Sequence, residues 1–174
     1  GHAPYAWTVL GAVAQATSDV ELMTYVTCPT VRYHPAVVAQ KAATLQLLSE
    51  GRFTLGLGSG ENLNEHVVGE GWPAVHARLD MLTEAIEIIR ALHTGDLITY
   101  DGEYFRVDSA RVWDVPEGGV PLGVAVSGKH SIESFAPLAD HLITTEPDAE
   151  IIASWDEHHE GESRKIGQIP ISWD

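Results

Sequence analysis

A short apolar run that ends in glycines constrains the fold of this chain more than any other stretch. The run Phe53–Leu57 has aromatic and β-branched members, which predicts a buried strand. Residues 58–60 (Gly-Ser-Gly) follow, and small residues there allow a tight turn and a close approach of the backbone to a ligand. The carboxylate of Glu61 and the amide of Asn64 come next, on a predicted short helix. Parallel sheets place sites at the carboxyl ends of strands, although a plain turn with solvated polar residues would have the same sequence.

The rest of the chain alternates between helical and strand-like segments. Alternation of this kind predicts parallel strands joined by crossover helices, and hence a barrel-type α/β fold over residues 1–174 as one domain. The predicted elements are helices 6–17, 36–49, 74–93, 130–138 and 148–158, strands 21–28, 53–57, 121–126, 141–145 and 167–173, a hairpin turning tightly at Asp101-Gly102, an irregular stretch 108–120 and a polar linker 160–165. Core faces are predicted at Val37, Val38, Leu45 and Leu48 in the second helix, and at Val75, Leu79, Leu82, Ile86, Ile89 and Leu92 in the third.

Composition excludes several classes of function. The 174 residues carry 25 acids against 10 Lys and Arg, a formal net charge of −15, which opposes binding to nucleic acid and to anionic membranes. No run approaches 18 apolar residues, so no membrane span is expected, and residues 1–4 lack the pattern of a signal peptide. The single cysteine, Cys28, fits a reducing cytoplasm, and its apolar flanks predict a buried, inert thiol.

Polar side chains follow each predicted strand and would converge on one rim of a parallel barrel. Glu61 is the candidate acid or base if burial raises its pKa, and it also suits the N-terminus of a helix, where a carboxylate is favoured. The other strand-end candidates are Cys28, Thr30, Arg32, His34, Ser59, Asn64, Ser127, Gly128, Thr144, Thr145 and Glu146.

Motifs for other chemistries are missing. Nine histidines include no H-E-x-x-H, and a single cysteine completes no zinc set, so no metal site is predicted. The glycines at 56, 58 and 60 are spaced by two, unlike a dinucleotide G-x-G-x-x-G fingerprint. Ser59 also lacks the G-x-S-x-G context of a nucleophile elbow.

Three blocks of sequence resemble a known family: TCPTVRYHPAVVAQKAAT at 27–44, GRFTLGLGSGENLNEHVVG at 51–69 and WDVPEGGVPLGVAVSG at 113–128. They resemble the luciferase-like superfamily and, more narrowly, coenzyme F-420-dependent oxidoreductases of the glucose-6-phosphate dehydrogenase family. The resemblance implies a (β/α)8 TIM barrel that binds the deazaflavin at the carboxyl ends of its strands. It also implies hydride transfer between that ring and the carbon of a small-molecule substrate.

The resemblance also implies roles for individual residues. Tyr25 and Val26 match a bulged, often cis, peptide behind the deazaflavin ring, and Ser127 and Gly128 match small residues near its phosphate-bearing tail. Cys28 and Asn64 match cofactor contacts, Glu61 matches both a cofactor contact and the active-site acid, and Thr145 is assigned to the substrate. Candidate cations for the anionic tail are Arg32, Lys41 and Lys129.

Two departures from the family pattern change the expectation. First, the family's catalytic histidine would lie upstream of Gly1, and His2 does not match it. The 174 residues are also fewer than the ~200–250 residues of a usual barrel. The expected fold is therefore an incomplete or truncated barrel, whose open strand edges predict a homo-oligomer. The family's phosphate-binding lysine corresponds here to Asp148, which argues against glucose 6-phosphate and for another alcohol or an activated alkene.

Two alternative functions stay open from the sequence. One is an FMN-dependent luciferase-like monooxygenase, which shares the fold but fits the TCPT and GENLNEH blocks less well. The other is a non-catalytic fragment that only binds cofactor or self-associates.

Overall fold

The computed structural model describes residues 4–169 and 171–172, and its largest element is a curved parallel sheet. Five strands lie in the order β1-β2-β5-β6-β7, and every neighbouring pair is parallel. A separate antiparallel hairpin, β3–β4, is inserted between β2 and β5. The strands are β1 Leu22–Met23, β2 Phe53–Leu57, β3 Ile98–Asp101, β4 Arg106–Ala110, β5 Leu122–Ala125, β6 His141–Ile143 and β7 Lys165–Ile166.

Helices connect the parallel strands and pack side by side in chain order. Helix α1 contacts α2, α2 contacts α4, α4 contacts α5, and α5 contacts α6. The helices are α1 Ala6–Ala16, α2 Pro35–Leu48, α3 Asn62–Glu65, α4 Val75–Leu92, α5 Lys129–Phe135 and α6 Ala149–His158, with a single 3₁₀ turn, His66–Val68, after α3. Each predicted helix is thus present, to within a few residues at its ends.

The two faces of the sheet differ because successive side chains of a strand point to opposite sides. Leu55, Leu57 and Val124 are fully buried in the core that the helices complete. The opposite face carries small residues at Gly56 and Gly123: a Cβ atom at Gly56 would overlap the Thr24 carbonyl oxygen, and one at Gly123 would be too close to Cδ1 of Ile143. The face of the sheet that packs against the helices therefore carries the large apolar side chains of the core, and the opposite face carries glycines at these two positions.

The first strand is shorter than the sequence predicts. Of the predicted strand 21–28, only β1 and an isolated bridge from Thr27 to Leu57 pair with β2. Between them the Thr24 hydroxyl donates to the Gly56 carbonyl (2.8 Å) and accepts from the Gly56 N–H (3.0 Å), and the peptide bond Tyr25-Val26 is cis, as the resemblance implies. The prediction of a continuous strand was wrong because a side chain here replaces the backbone ladder.

The hairpin and the end of the chain also differ from prediction. Asp101 pairs with Arg106, so the hairpin loop spans residues 102–105 and is not a two-residue turn. The polar linker 160–165 and strand 167–173 were misplaced: the last strand is β7, and residues 167–169 and 171–172 are not in a strand. Pro170 and Trp173, which belong to that predicted strand, lie outside the described residues.

Three predicted core positions are exposed. Val37, Leu48 and Val75 leave 46%, 44% and 62% of their surface in solvent, whereas Val38, Leu45 and the central α4 positions are buried as predicted. Each exposed position lies within three residues of a helix end. No helix of the described chain is both long enough and apolar enough to span a bilayer.

Candidate functional site

A cavity of about 710 Å³ opens at the carboxyl ends of β2, β5 and β6. It is lined by backbone and side chains that follow these strands and by the segment after β1. The lining residues are Tyr25, Val26, Cys28, Arg32, Gly58, Ser59, Gly60, Glu61, Asn64, Glu65, Ala125, Val126, Ser127, Ile143, Thr144, Thr145, Glu146, Pro147, Asp148 and Ile151. Of the strand-end candidates predicted from the sequence, Thr30, His34 and Gly128 are not among the lining residues, although Gly128 directly follows Ser127 and precedes α5.

Tyr25 joins the two sides of the cavity. Its hydroxyl donates a hydrogen bond to the Thr144 carbonyl (2.6 Å), which links the segment after β1 to the end of β6. Burial raises the pKa of the Tyr25 hydroxyl, so that it remains a donor at neutral pH. The two ends of the cavity wall are therefore fixed relative to each other by this bond.

Cys28 lies beneath the glycine turn that the sequence singled out. Its Sγ atom is 2.8 Å from the Thr30 hydroxyl and comes so close to Gly60 that a Cβ atom there would overlap it. Gly60 also has a φ of +81°, a conformation that favours glycine. Burial raises the pKa of the Cys28 thiol, which keeps it neutral and agrees with the predicted inert cysteine.

Glu61 stands at the mouth of the cavity. It is the residue before α3, but its side chain makes no hydrogen bond to the helix end and no ion pair within residues 4–169 and 171–172. The side chain is exposed, so the burial that the sequence analysis set as a condition for an acid or base role is not present. Its carboxylate is accordingly free to meet a ligand.

The sequence reasoning missed Glu65, which is the buried acid of the site. Only 2% of its side chain is exposed, and its Oε1 atom lies 3.3 Å from Nη2 of Arg32. Its Oε2 atom accepts the backbone N–H of Arg32, also at 3.3 Å. The four-residue spacing of Glu61, the residue before α3, and Glu65, the last residue of α3, was the signal that could have identified the pair.

The wall after β6 is held by its own hydrogen bonds. The Thr144 hydroxyl donates to the Glu146 carbonyl (2.6 Å). Asp148 precedes α6, and its Oδ1 atom accepts the N–H groups of Glu150 (2.8 Å) and Ile151 (3.2 Å). The carboxylate of Asp148 is therefore the N-cap of α6.

Only one of the three candidate cations reaches the cavity. Arg32 lines it, but Lys41 donates to the Tyr5 hydroxyl (2.7 Å) and lies 4.1 Å from the ring centre of Tyr33. Lys129 is paired with Glu133 at 3.8 Å on the surface of α5. No group of three or more His, Cys, Asp or Glu side chains in the described chain is placed to hold a metal ion.

The protein-family comparison matches residues 1–171 to the model of luciferase-like monooxygenases. The F-420-dependent glucose-6-phosphate dehydrogenase of Nakamurella multipartita is 43% identical over 145 residues, 83% of this chain and 43% of that protein. The enzyme of the same name from Nocardia farcinica is 48% identical over 130 residues, 74% of this chain and 39% of that protein. The chain thus spans less than half the length of these relatives.

A solved structure shows the same similarity in three dimensions. It is an F-420-dependent secondary alcohol dehydrogenase in complex with an F-420–acetone adduct. Its TM-score to this chain is 0.85 at 36% sequence identity, over 90% of this chain and 49% of that one. The described sheet and helices therefore correspond to about half of a luciferase-like barrel.

Proposed function

The chain belongs to the luciferase-like monooxygenase family, and we propose that it serves hydride transfer between a hydroxyl-bearing substrate carbon and coenzyme F-420. One observation carries the proposal. The chain that forms this cavity is 43% and 48% identical, over 145 and 130 residues, to two proteins named as F-420-dependent dehydrogenases. The substrates in the names of these relatives, a sugar phosphate and a secondary alcohol, both contain a carbon that bears oxygen and hydrogen.

The residues of the cavity fit a deazaflavin. Its volume of about 710 Å³ falls in the range of ligand pockets of ~300–1,000 Å³. Val26, Ala125 and Ile143 provide apolar surface for a planar ring, while Asn64 and Ser127 offer polar contacts at its edge. Beside them, a Cβ atom at Gly128 would meet nothing within 4 Å, so the backbone there is open to a ligand. When bound, the deazaflavin would accept the hydride.

The acid before α3, Glu61, and the acid at its end, Glu65, would have different roles. Oxidation of an alcohol releases a proton from its hydroxyl group, and a carboxylate within hydrogen-bond reach is a suitable acceptor. Glu61 has no partner in the described chain and is free to take that proton on a carboxylate oxygen. Glu65 is already paired with Arg32 and instead fixes the loop before α2. Thr145, exposed on the cavity wall, would hold the substrate hydroxyl.

A titration of the chain with F-420, followed by fluorescence anisotropy, tests the proposal. Saturable binding in the low micromolar range is expected, with FMN binding at least about tenfold more weakly. Gly128→Leu should weaken F-420 binding at least about tenfold, because its side chain would project into the open space beside the cavity. Gly11→Leu on α1 is the matched control, since a Cβ atom there also meets nothing within 4 Å.

Two outcomes of the titration would contradict the proposal. One is the absence of saturable F-420 binding by a chain whose circular dichroism spectrum is that of a folded α/β protein. The other is tighter binding of FMN than of F-420, which would favour a monooxygenase. Equal binding by Gly128→Leu and the wild type would remove only Gly128 from the cofactor site.

We further propose that the chain self-associates and acts in the cytoplasm. The sheet ends in the two-residue strands β1 and β7, whose outer edges pair with nothing in the described chain, and such edges favour strand pairing between copies. Light scattering that gives the monomer mass at all concentrations would refute self-association. The single buried cysteine is compatible with a reducing compartment.

A further inference from the structure

We propose that Tyr25 is a positioning residue that sets the width of the cavity for the deazaflavin, through a hydrogen bond that crosses the sheet. The statement about the deazaflavin rests on the proposed function, whereas the hydrogen bond is a property of the chain itself. The family resemblance points to the peptide group of Tyr25. The positioning role belongs instead to its side-chain hydroxyl.

The Tyr25 hydroxyl bonds to a residue that is not on a neighbouring strand. Tyr25 follows β1, and the Thr144 carbonyl that accepts its hydrogen bond at 2.6 Å follows β6. Strands β2 and β5 lie between β1 and β6 in the sheet. In a flat sheet three strand spacings amount to about 14 Å, which is more than a tyrosine side chain can span. The bond is therefore made across the curved side of the sheet, and it holds the ends of β1 and β6 at one separation.

The backbone on both sides of Tyr25 is fixed on β2 and the glycine turn after it. A Cβ atom at Gly58 would overlap Cγ2 of Val26, so Val26 lies directly on that turn. The Thr24 hydroxyl is bonded to Gly56 in β2, at 2.8 Å to the carbonyl oxygen and 3.0 Å to the N–H. The Tyr25 side chain therefore starts from a fixed position on one wall of the cavity.

The acceptor of the bond belongs to the opposite wall, which has its own hydrogen bonds. The Thr144 hydroxyl donates to the Glu146 carbonyl at 2.6 Å. Thr145, the proposed substrate contact, is the next residue, just as Val26, the proposed ring contact, directly follows Tyr25. One hydroxyl thus joins the wall for the ring to the wall for the substrate. Its removal should leave each wall folded but free to move relative to the other.

A second contact crosses the sheet at its opposite end. Nη2 of Arg164, which precedes β7, lies 2.7 Å from Oε2 of Glu21, which precedes β1. Strands β1 and β7 are the outer strands of the sheet, so the same curvature brings these side chains together. Both side chains are more than half exposed, and neither lines the cavity. Their ion pair provides a matched control, because it crosses the sheet away from the ligand site.

An NMR measurement without any ligand tests the hydrogen bond. Tyr25→Phe keeps the aromatic ring and removes the donor. The amide nitrogen of Thr145 belongs to the same peptide group as the Thr144 carbonyl, so its signal should shift in Tyr25→Phe. The same signal should not shift in Glu21→Ala, which removes the ion pair at the other end of the sheet.

A titration with F-420, followed by fluorescence anisotropy, tests the positioning role. Without the bond, part of the binding free energy is used to hold the two walls at the required separation. One hydrogen bond of typical net strength corresponds to about fivefold in affinity, so Tyr25→Phe should bind F-420 about fivefold more weakly. Glu21→Ala should stay within about twofold of the wild type, because an exposed ion pair contributes little.

Urea unfolding of both variants separates positioning from stability. A purely structural hydroxyl would raise the free energy of unfolding and leave the F-420 affinity of the folded chain unchanged. Equal F-420 affinity of Tyr25→Phe and the wild type, or an equal loss of affinity in Glu21→Ala, would therefore overturn the positioning role. An unchanged Thr145 signal in Tyr25→Phe would overturn it as well.

The two measurements keep the positioning role and the proposed function distinguishable. If the wild type fails to bind F-420 while the Thr145 signal shifts only in Tyr25→Phe, the proposed function fails and the hydrogen bond between the walls stands. If the wild type binds F-420 and Tyr25→Phe binds it equally well, the proposed function stands and the positioning role of Tyr25 fails.

Discussion

Removal of Arg32 should destabilise the chain through Glu65, and the effect should be partly reversed by neutralising Glu65. The Glu65 carboxylate is 2% exposed, and in the described chain Arg32 is its ion-pair partner. Breaking a buried ion pair on one side costs about 3–5 kcal/mol because a buried charge is left uncompensated. The Arg32 side chain is 34% exposed, so water replaces part of its effect, and we expect Arg32→Ala to lower the free energy of unfolding by about 2–3 kcal/mol.

The double variant gives the result that distinguishes this explanation from simple loss of contacts. Glu65→Gln removes the charge and should cost only about 1 kcal/mol, since the amide oxygen still accepts from the Arg32 N–H. Arg32→Ala combined with Glu65→Gln should therefore be more stable than Arg32→Ala alone, because no charge is left buried. Loss of the Arg32 contact with the Tyr33 ring, 4.8 Å away, occurs in both variants and cancels.

Urea unfolding followed by circular dichroism measures these free energies, with the slope against urea checked for constancy. A double variant less stable than Arg32→Ala would refute the reasoning, since it would mean that the Glu65 carboxylate is stabilising without its partner. Lys41→Ala is a suitable control, because Lys41 lies beside the same Tyr33 ring but makes no ion pair with Glu65.

Three further predictions concern positions outside the cavity. Arg52 donates four hydrogen bonds to the end of α1 and the following turn. Arg52→Lys should therefore lower the free energy of unfolding, measured in urea, by about 2 kcal/mol. A decrease of less than about 0.5 kcal/mol would contradict this role of Arg52. Glu84 accepts the backbone N–H groups of residues 103–105, so in Glu84→Gln these amides should exchange hydrogen at least about tenfold faster, with the amides of β5 unchanged. Burial lowers the pKa of His93, so the folded chain binds fewer protons there than the unfolded one. The stability that neutral His93 contributes is complete above about pH 6.5 and decreases as the pH falls below this value. The difference in unfolding free energy between the wild type and His93→Gln should therefore decrease below about pH 6.5. A difference that does not change with pH would contradict the prediction.

The helices were predictable because their signals are local. The apolar stripe of α4 repeats at helical spacing, and Leu82, Ile86 and Ile89 are buried where that stripe predicts. Proline at the first position of α2 and Asp148 before α6 mark helix starts that the structure confirms. Strand β2 was equally clear from its apolar run between polar residues.

The strand predictions were wrong at β1 and β7 because the pairing of these segments depends on residues that are distant in the sequence. After Met23 the Thr24 hydroxyl accepts from the Gly56 N–H and shares the Gly56 carbonyl with the Thr27 N–H, and no local sequence pattern predicts this side-chain contact. Strand β7 is a two-residue pair with β6 at a polar lysine, where apolar alternation gives no signal. The exposed ends of α2 and α4 were predicted as core because periodicity does not show where a neighbouring helix stops.

The chemistry of the site depends on the same distinction between local and distant contacts. Glu61 directly precedes α3 and Glu65 ends it, and the sequence shows two equivalent acids. The loop before α2, 33 residues earlier in the chain, brings Arg32 to Glu65 and leaves Glu61 without a partner. Arg32 therefore makes the two acids different, because it pairs with the buried Glu65 and leaves Glu61 without an ion-pair partner among the described residues. The proposed role of Glu61 as the proton acceptor rests on this difference, which is set by an arginine that does not itself take part in the proposed reaction.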